Sequence, residues 1–146
     1  MCCPYFEPVR PQDGPPGGLA RDSMLPLGGA WEGICRAGEQ PQLGRQPAES
    51  ALRPLCNLGY ARGRCPCFPA QDGPDAVRFC VAADDGAAVV LSYTVERDHL
   101  PLAHGPLRWS RERGAFEDNG LTAPFGAQAR AYVASYLRRK RESEPR

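Results

Sequence analysis

Six of the seven cysteines fall in the first 75 residues, among most of the chain's 16 prolines. Proline removes a backbone donor and fixes φ, so a half so punctuated supports only short helices and strands. A loop-rich stretch of that length is uncommon in a compact domain unless something organises it, and the cysteines are the obvious organiser. Cys2, Cys3, Cys56, Cys65 and Cys67 read as loop residues, and two of them sit in Cys-Pro pairs, Cys3-Pro4 and Cys65-Pro66. Thiols are a liability in a reducing compartment unless they ligate a metal, do redox chemistry or pack as small hydrophobes.

The compartment decides between metal and disulfide. The opening residues MCCPYFEPVRPQDGPPGG have no basic start, no apolar signal segment and no lipobox, and no long apolar run follows. The expectation is a cytoplasmic protein without a membrane span, which weakens the disulfide reading and strengthens the metal one. The formal net charge is +1, from 18 basic and 17 acidic residues, so no global field recruits nucleic acid or membrane.

The length of 146 residues fits one domain over 1–146. Its halves differ in kind: a cysteine-rich loop half over 1–75, and a regular half over 76–146. In the first, Ala30–Arg36 offers one helical turn or a short strand, and Pro47–Arg53 reads as a short helix ended by Pro54. Pro11–Gly29 and 57–74 read as irregular loop. In the second, Ala76–Ala83 and Ala88–Arg97 alternate, with Val77, Phe79 and Val81 on one face and Val89, Leu91, Tyr93 and Val95 on one face. With Asp84-Asp85-Gly86 as the turn, this predicts a β-hairpin. Leu107–Ser110 adds a short third strand. Thr122 is placed to cap a helix from about Ala123 to Arg141, with Pro124 in its first turn. Phe125, Ala129, Tyr132, Val133, Tyr136 and Leu137 form its apolar stripe. The expected fold class is α+β: a small hairpin-based sheet packed by a C-terminal helix, with a long cysteine-, Pro- and Gly-rich loop layer beside it.

Structural zinc favours closely spaced cysteine pairs, C-x2-C or C-x4-C, and this chain has none. Its long gaps suit a cluster, which can collect thiolates from several separate loops. Iron–sulfur ligands are also often followed by proline, which extends the preceding residue and holds its thiolate out from the loop. The candidate ligands are Cys3, Cys35, Cys56 and Cys65, with Cys67 as first reserve and Cys2 as second. Gly59 and Gly63 are candidates for bringing backbone N–H groups to the sulfides. Cys80, mid-strand among apolar residues, reads as a small packed hydrophobe, and Cys35 can also be read as a core residue.

The segment CNLGYARGRCPCFP, Cys56–Pro69, resembles the motif of bacterial zinc- or iron-chelating cysteine proteins. In that motif a Cys and a Tyr precede an Arg and then a C-x-x-F-P. Cys56, Tyr60, Arg62, Cys65, Phe68 and Pro69 carry the match. The resemblance implies chelation of an iron–sulfur centre or zinc by Cys56 and Cys65.

Other chemistry is poorly represented. His99 and His104 flank Pro101 in what reads as a loop, and two surface histidines account for them. Gly14–Gly18 lacks the Lys and Ser/Thr of a phosphate loop, and no metalloprotease, serine-hydrolase or dinucleotide motif is present. Arg138–Arg141 is read as a frayed, solvated helix end rather than a nucleic-acid contact. Trp31 and Trp109 read as core or cluster-shielding residues. The functional expectation is a protein binding one [4Fe–4S] cluster through four cysteines, for electron transfer, redox sensing or structural support with a protein redox or regulatory partner. The alternative is a structural Zn2+ site in a protein- or nucleic-acid-interaction module.

Overall fold

The hairpin at the centre of the molecule forms where alternation places it. In a computed structural model, which describes residues 1–12, 24–118 and 120–144, strand β3 (Ala76–Asp84) pairs antiparallel with β4 (Ala88–Arg97). Val77 faces Val95, Phe79 faces Tyr93 and Val81 faces Leu91 across the ladder. These positions share a face, which the period of two delivers to the core. The turn is fixed by aspartates: Asp84 accepts from the Gly86 N–H at 3.0 Å, and Asp85 from Ala87 and Ala88 at 2.9 and 2.7 Å.

The third strand is much longer than expected. β5 runs Leu100–Ser110 through Pro101 and Pro106, and a two-residue β6 (Ala115–Phe116) pairs with its end. The sheet order is β3-β4-β5-β6. Because β6 covers only Trp109 and Ser110, most of β5 is an edge without a further strand among the described residues, where prolines are tolerated. His99 therefore lies at the β4–β5 turn with φ +62°, and His104 is an exposed strand residue paired with Thr94 rather than a loop residue.

The N-terminal half holds a second, two-stranded ribbon. β1 (Phe6–Pro11) pairs antiparallel with β2 (Trp31–Cys35), with a register shift between Pro8 and Arg10. A strand with two prolines lies outside the sequence expectation; as an edge, β1 can carry them. The Ala30–Arg36 alternative resolves as strand. Glu49–Ala51 is a single helical turn, α1, and the chain then continues in wider turns through Leu52–Asn57. Pro54 does not end this segment: π-type turns bond every fifth residue, and proline interrupts one such bond without stopping the winding. Cys56 thus sits on a helical turn and not in a loop. The Gly14–Gly18 stretch lies outside the described residues.

Helix α2 spans Phe125–Ser143, starting two residues later than expected. Thr122 does contribute at its start, by a main-chain carbonyl that accepts from the Gly126 N–H at 2.7 Å and not by a side-chain cap. Its predicted stripe packs on the sheet, with Phe125 and Tyr132 rings each 5.7 Å from Phe79. A second line is also buried, Gln128, Ala131 and Ser135, and it faces the ribbon: Trp31 Nε1 donates to Ser135 Oγ at 3.2 Å. The helix is therefore the middle layer between sheet and ribbon. One apolar core joins Cys2, Cys3, Phe6, Leu27 and Trp31 to Val77, Val89, Leu91 and Val133, giving an α+β fold in which both halves share an interior.

The basic run at the helix end is docked and helical. Arg139 donates to the Gly28 carbonyl at 2.5 Å, and Lys140 to Asp84 at 2.6 Å. Asp84 also accepts from Arg111 and Tyr136, and these donors hold its carboxyl well below the usual range. Trp109 packs edge-on against Phe116 at 5.1 Å, a core role on the sheet. No described helix is long and apolar enough to cross a membrane.

Candidate metal centre

Five of the seven cysteines line one small cavity. Cys3, Cys35, Cys56, Cys65 and Cys67 surround it, and its remaining walls are apolar, from Phe6, Ala37, Leu55, Ala61 and Phe68. They come from four separate segments: the chain before β1, the end of β2, the turn after α1, and the loop that follows it. The other two lie elsewhere. Cys2 is fully buried and forms a main-chain bridge to Val77, so it belongs to the core. Cys80 is exposed on β3, opposite Ser92 in register. It is not a packed hydrophobe, because alternation turns it away from the face that Val77 and Phe79 bury. All seven are free thiols.

Backbone hydrogen bonds draw the cysteine-bearing segments together. The Cys3 N–H donates to the Cys56 carbonyl at 3.1 Å. Cys35 and Arg45 exchange two main-chain bonds, at 2.8 and 3.0 Å. The Cys65 N–H donates to the Ala61 carbonyl at 2.7 Å, closing the turn that presents Cys65. Three buried or half-buried polar side chains then fix these pieces in place, none of which stands out in the sequence. Asn57 is fully buried; its Oδ1 accepts from the Trp31 N–H at 3.0 Å, and its Nδ2 donates to the carbonyls of Trp31 and Leu52 at 3.0 and 2.8 Å. It ties the Cys56 turn to β2, which carries Cys35. Gln128 of α2, also fully buried, donates to the carbonyls of Cys3 and Phe6 at 2.8 and 2.7 Å. Arg36 reaches Glu7 at 2.7 Å and the carbonyls of Pro41 and Gln42, folding back the loop after β2.

The motif residues around Cys56 and Cys65 are buttresses. Arg62 is held by Asp75 at 2.6 Å, donates to the carbonyls of Pro69 and Gln71, and lies over the Phe68 ring at 4.8 Å. Tyr60, at φ +55°, turns away from the cavity: its hydroxyl donates to Glu96 and its ring stacks on His99 at 4.1 Å. Gly59 has no free N–H to offer a sulfide, since that group donates to the Leu55 carbonyl. Its own constraint is steric: φ is +75°, and a Cβ there would lie 2.3 Å from the Met1 carbonyl oxygen.

Burial governs the chemistry of the thiols. It pushes Cys3 and Cys56 up to about 12 from an ordinary 9.0. Neighbouring thiols add to this: Cys35 and Cys65 act on Cys3, while Cys3, Cys35, Cys65 and, least, Cys67 act on Cys56. Cys3 and Cys56 therefore stay protonated until an added cation compensates their thiolates, and loading them releases protons. The cavity itself measures about 20 Å³, enough for about one water. Among the described residues, no three His, Cys, Asp or Glu side chains converge closely enough in this conformation to hold one ion. The sulfurs share walls without forming a finished tetrahedron, which at a Zn–S distance of about 2.3 Å requires sulfurs about 3.8 Å apart.

No protein-family model, curated protein or solved structure matches the chain.

Proposed function

We propose that this protein binds one [4Fe–4S] cluster through Cys3, Cys35, Cys56 and Cys65 and acts as a small redox or redox-sensing module, with the cluster also bracing the loop layer. The observation that carries this reading is the convergence of five thiols from four chain segments on one apolar cavity. The donor set fits: soft sulfur ligands without carboxylates suit iron–sulfur centres or zinc, and thiols spread over a cavity wall suit a multi-atom cluster better than a single ion. Loading requires the walls to open beyond their present separation.

The cluster, when bound, supplies one-electron chemistry. The chain's own residues do the rest. Phe6, Phe68 and Leu55 exclude water, which lowers the local dielectric and shifts the potential of any centre held there. Gln128 and Asn57 hold the Cys3 and Cys56 segments in place. Cys3 and Cys56 give up their protons on loading. The partner in this reading is a redox or regulatory protein, and the compartment a reducing one, such as the cytoplasm.

Purification without oxygen tests the proposal. About four iron and four sulfide per chain, with brown absorption that bleaches on dithionite reduction, are expected. Zinc near one equivalent without iron or sulfide would falsify it in favour of a structural zinc module. A colourless, metal-free protein after the same care sinks both.

A further inference from the structure

Five thiols line a site that takes four ligands, and the surplus has a definite place. Cys65 and Cys67 are separated by one residue on the same loop, so they compete for one corner of the site. Arg45 distinguishes them. Its Nη1 donates to Cys67 Sγ at 3.3 Å, and its Nη2 is anchored on the Ala37 carbonyl at 2.8 Å. Its main chain is paired with Cys35 on the facing segment. Arg45 is an exposed residue, and it bridges two walls of the cavity, meeting Cys67 on one and Ala37 on the other, so the Cys67 sulfur is engaged by a cation that Cys65 lacks among the described residues.

We infer that Cys65 and Cys67 form an exchangeable corner of the metal site, with Cys65 the resident ligand, Cys67 its replacement, and Arg45 the positioning residue that holds Cys67 off. This rests on the proposed metal-binding function but not on the identity of the metal. The exchange breaks one metal–sulfur bond and forms another. The proton lost by the Cys67 thiol is matched by one gained at Cys65, so no electron moves and the charge is unchanged. Such a corner gives the site two ligation states, and a sensor can use the difference between them.

The test is metal content per chain after oxygen-free purification, for wild type, Cys65→Ser, Cys67→Ser and Cys65→Ser/Cys67→Ser. Cys67→Ser should match wild type, Cys65→Ser should keep most of its metal, and the double variant should lose it. Cys65→Ser as empty as the double variant overturns the inference, as does Cys67→Ser that loses more metal than Cys65→Ser. Far-UV circular dichroism identifies any variant that fails to fold. Alkylation of the loaded wild type with N-ethylmaleimide, mapped by mass spectrometry, then decides without substitution at either cysteine. Cys67 should label several-fold faster than Cys65. The preference should collapse in Arg45→Gln and return in Arg45→Lys. Equal labelling in the loaded wild type overturns the inference. A wild type that takes up no metal overturns the proposed function and the exchange together, whereas a loaded wild type with the wrong pattern overturns the exchange alone.

Discussion

The two halves of this molecule are held together by different means. The sheet and the outer stripe of α2 rely on a continuous ladder and on apolar packing, with Val89, Leu91 and Val133 fully buried. The cysteine-bearing half has a short ribbon and little ladder. Its segments are fixed by side chains that reach across the chain to backbone groups, from Asn57, Gln128, Arg36 and Arg62. Packing is non-directional and tolerates small shifts, whereas a hydrogen bond fixes a position. The first means gives a stable platform. The second sets where the sulfurs lie.

That contrast can be broken by variants that separate stability from loading. The largest loss of stability is expected for Leu91→Ala, about 4 kcal/mol in chemical denaturation, from lost transfer energy and a cavity. Metal per folded chain should not change. Asn57→Ala should cost about 3 kcal/mol, because it strands the N–H and C=O of Trp31 and the carbonyl of Leu52 in the interior. Here loading per folded chain should also fall; full metal content in a folded Asn57→Ala protein would break the comparison.

Alkaline pH gives the next effect. The thiols of Cys2, Cys3 and Cys56 lie near 12 in the folded chain against 9.0 ordinarily. The unfolded chain therefore loses these protons first as pH rises. Their contribution to stability is intact below pH 9.0 and is lost between there and about 12. Denaturation of the metal-free protein should show a loss of about 2 kcal/mol between roughly pH 8 and 9.5. Loaded protein should show a smaller loss, since Cys3 and Cys56 are then already deprotonated. A metal-free protein as stable at the higher pH as at the lower would count against the burial of these thiols. At the small end, Cys80→Ser should change stability by less than about 0.5 kcal/mol and leave loading intact, as an exposed residue away from the cavity should.

Local pattern carried some features and missed others for identifiable reasons. Val77, Phe79 and Val81 alternate, and Phe125, Ala129, Tyr132 and Val133 recur at helical spacing, so hairpin and helix are written in nearest-neighbour terms. β1 and most of β5 are hidden by prolines that only an edge strand tolerates. The winding through Pro54 is hidden by the rule that proline ends helices. At the cavity, Cys3, Cys35, Cys56 and Cys65 were reachable by elimination among thiols and by the Cys-Pro pairs. The placement of Cys2 and Cys80 depends on which face a strand buries. Asn57, Gln128 and Arg45 carry no local signature, because each acts on backbone or sulfur far away in the chain.

The sequence by itself determined the alternating hairpin, the amphipathic helix and the inventory of thiols, since periodicity and composition are local properties. Only the tertiary structure decided which five thiols share a cavity, that Cys56 rides on a helical turn, and that Arg45 rather than a nearer residue meets Cys67. Those outcomes depend on long-range pairing of segments, and the free energy that selects one pairing comes from apolar burial and from hydrogen bonds between residues that the sequence leaves far apart.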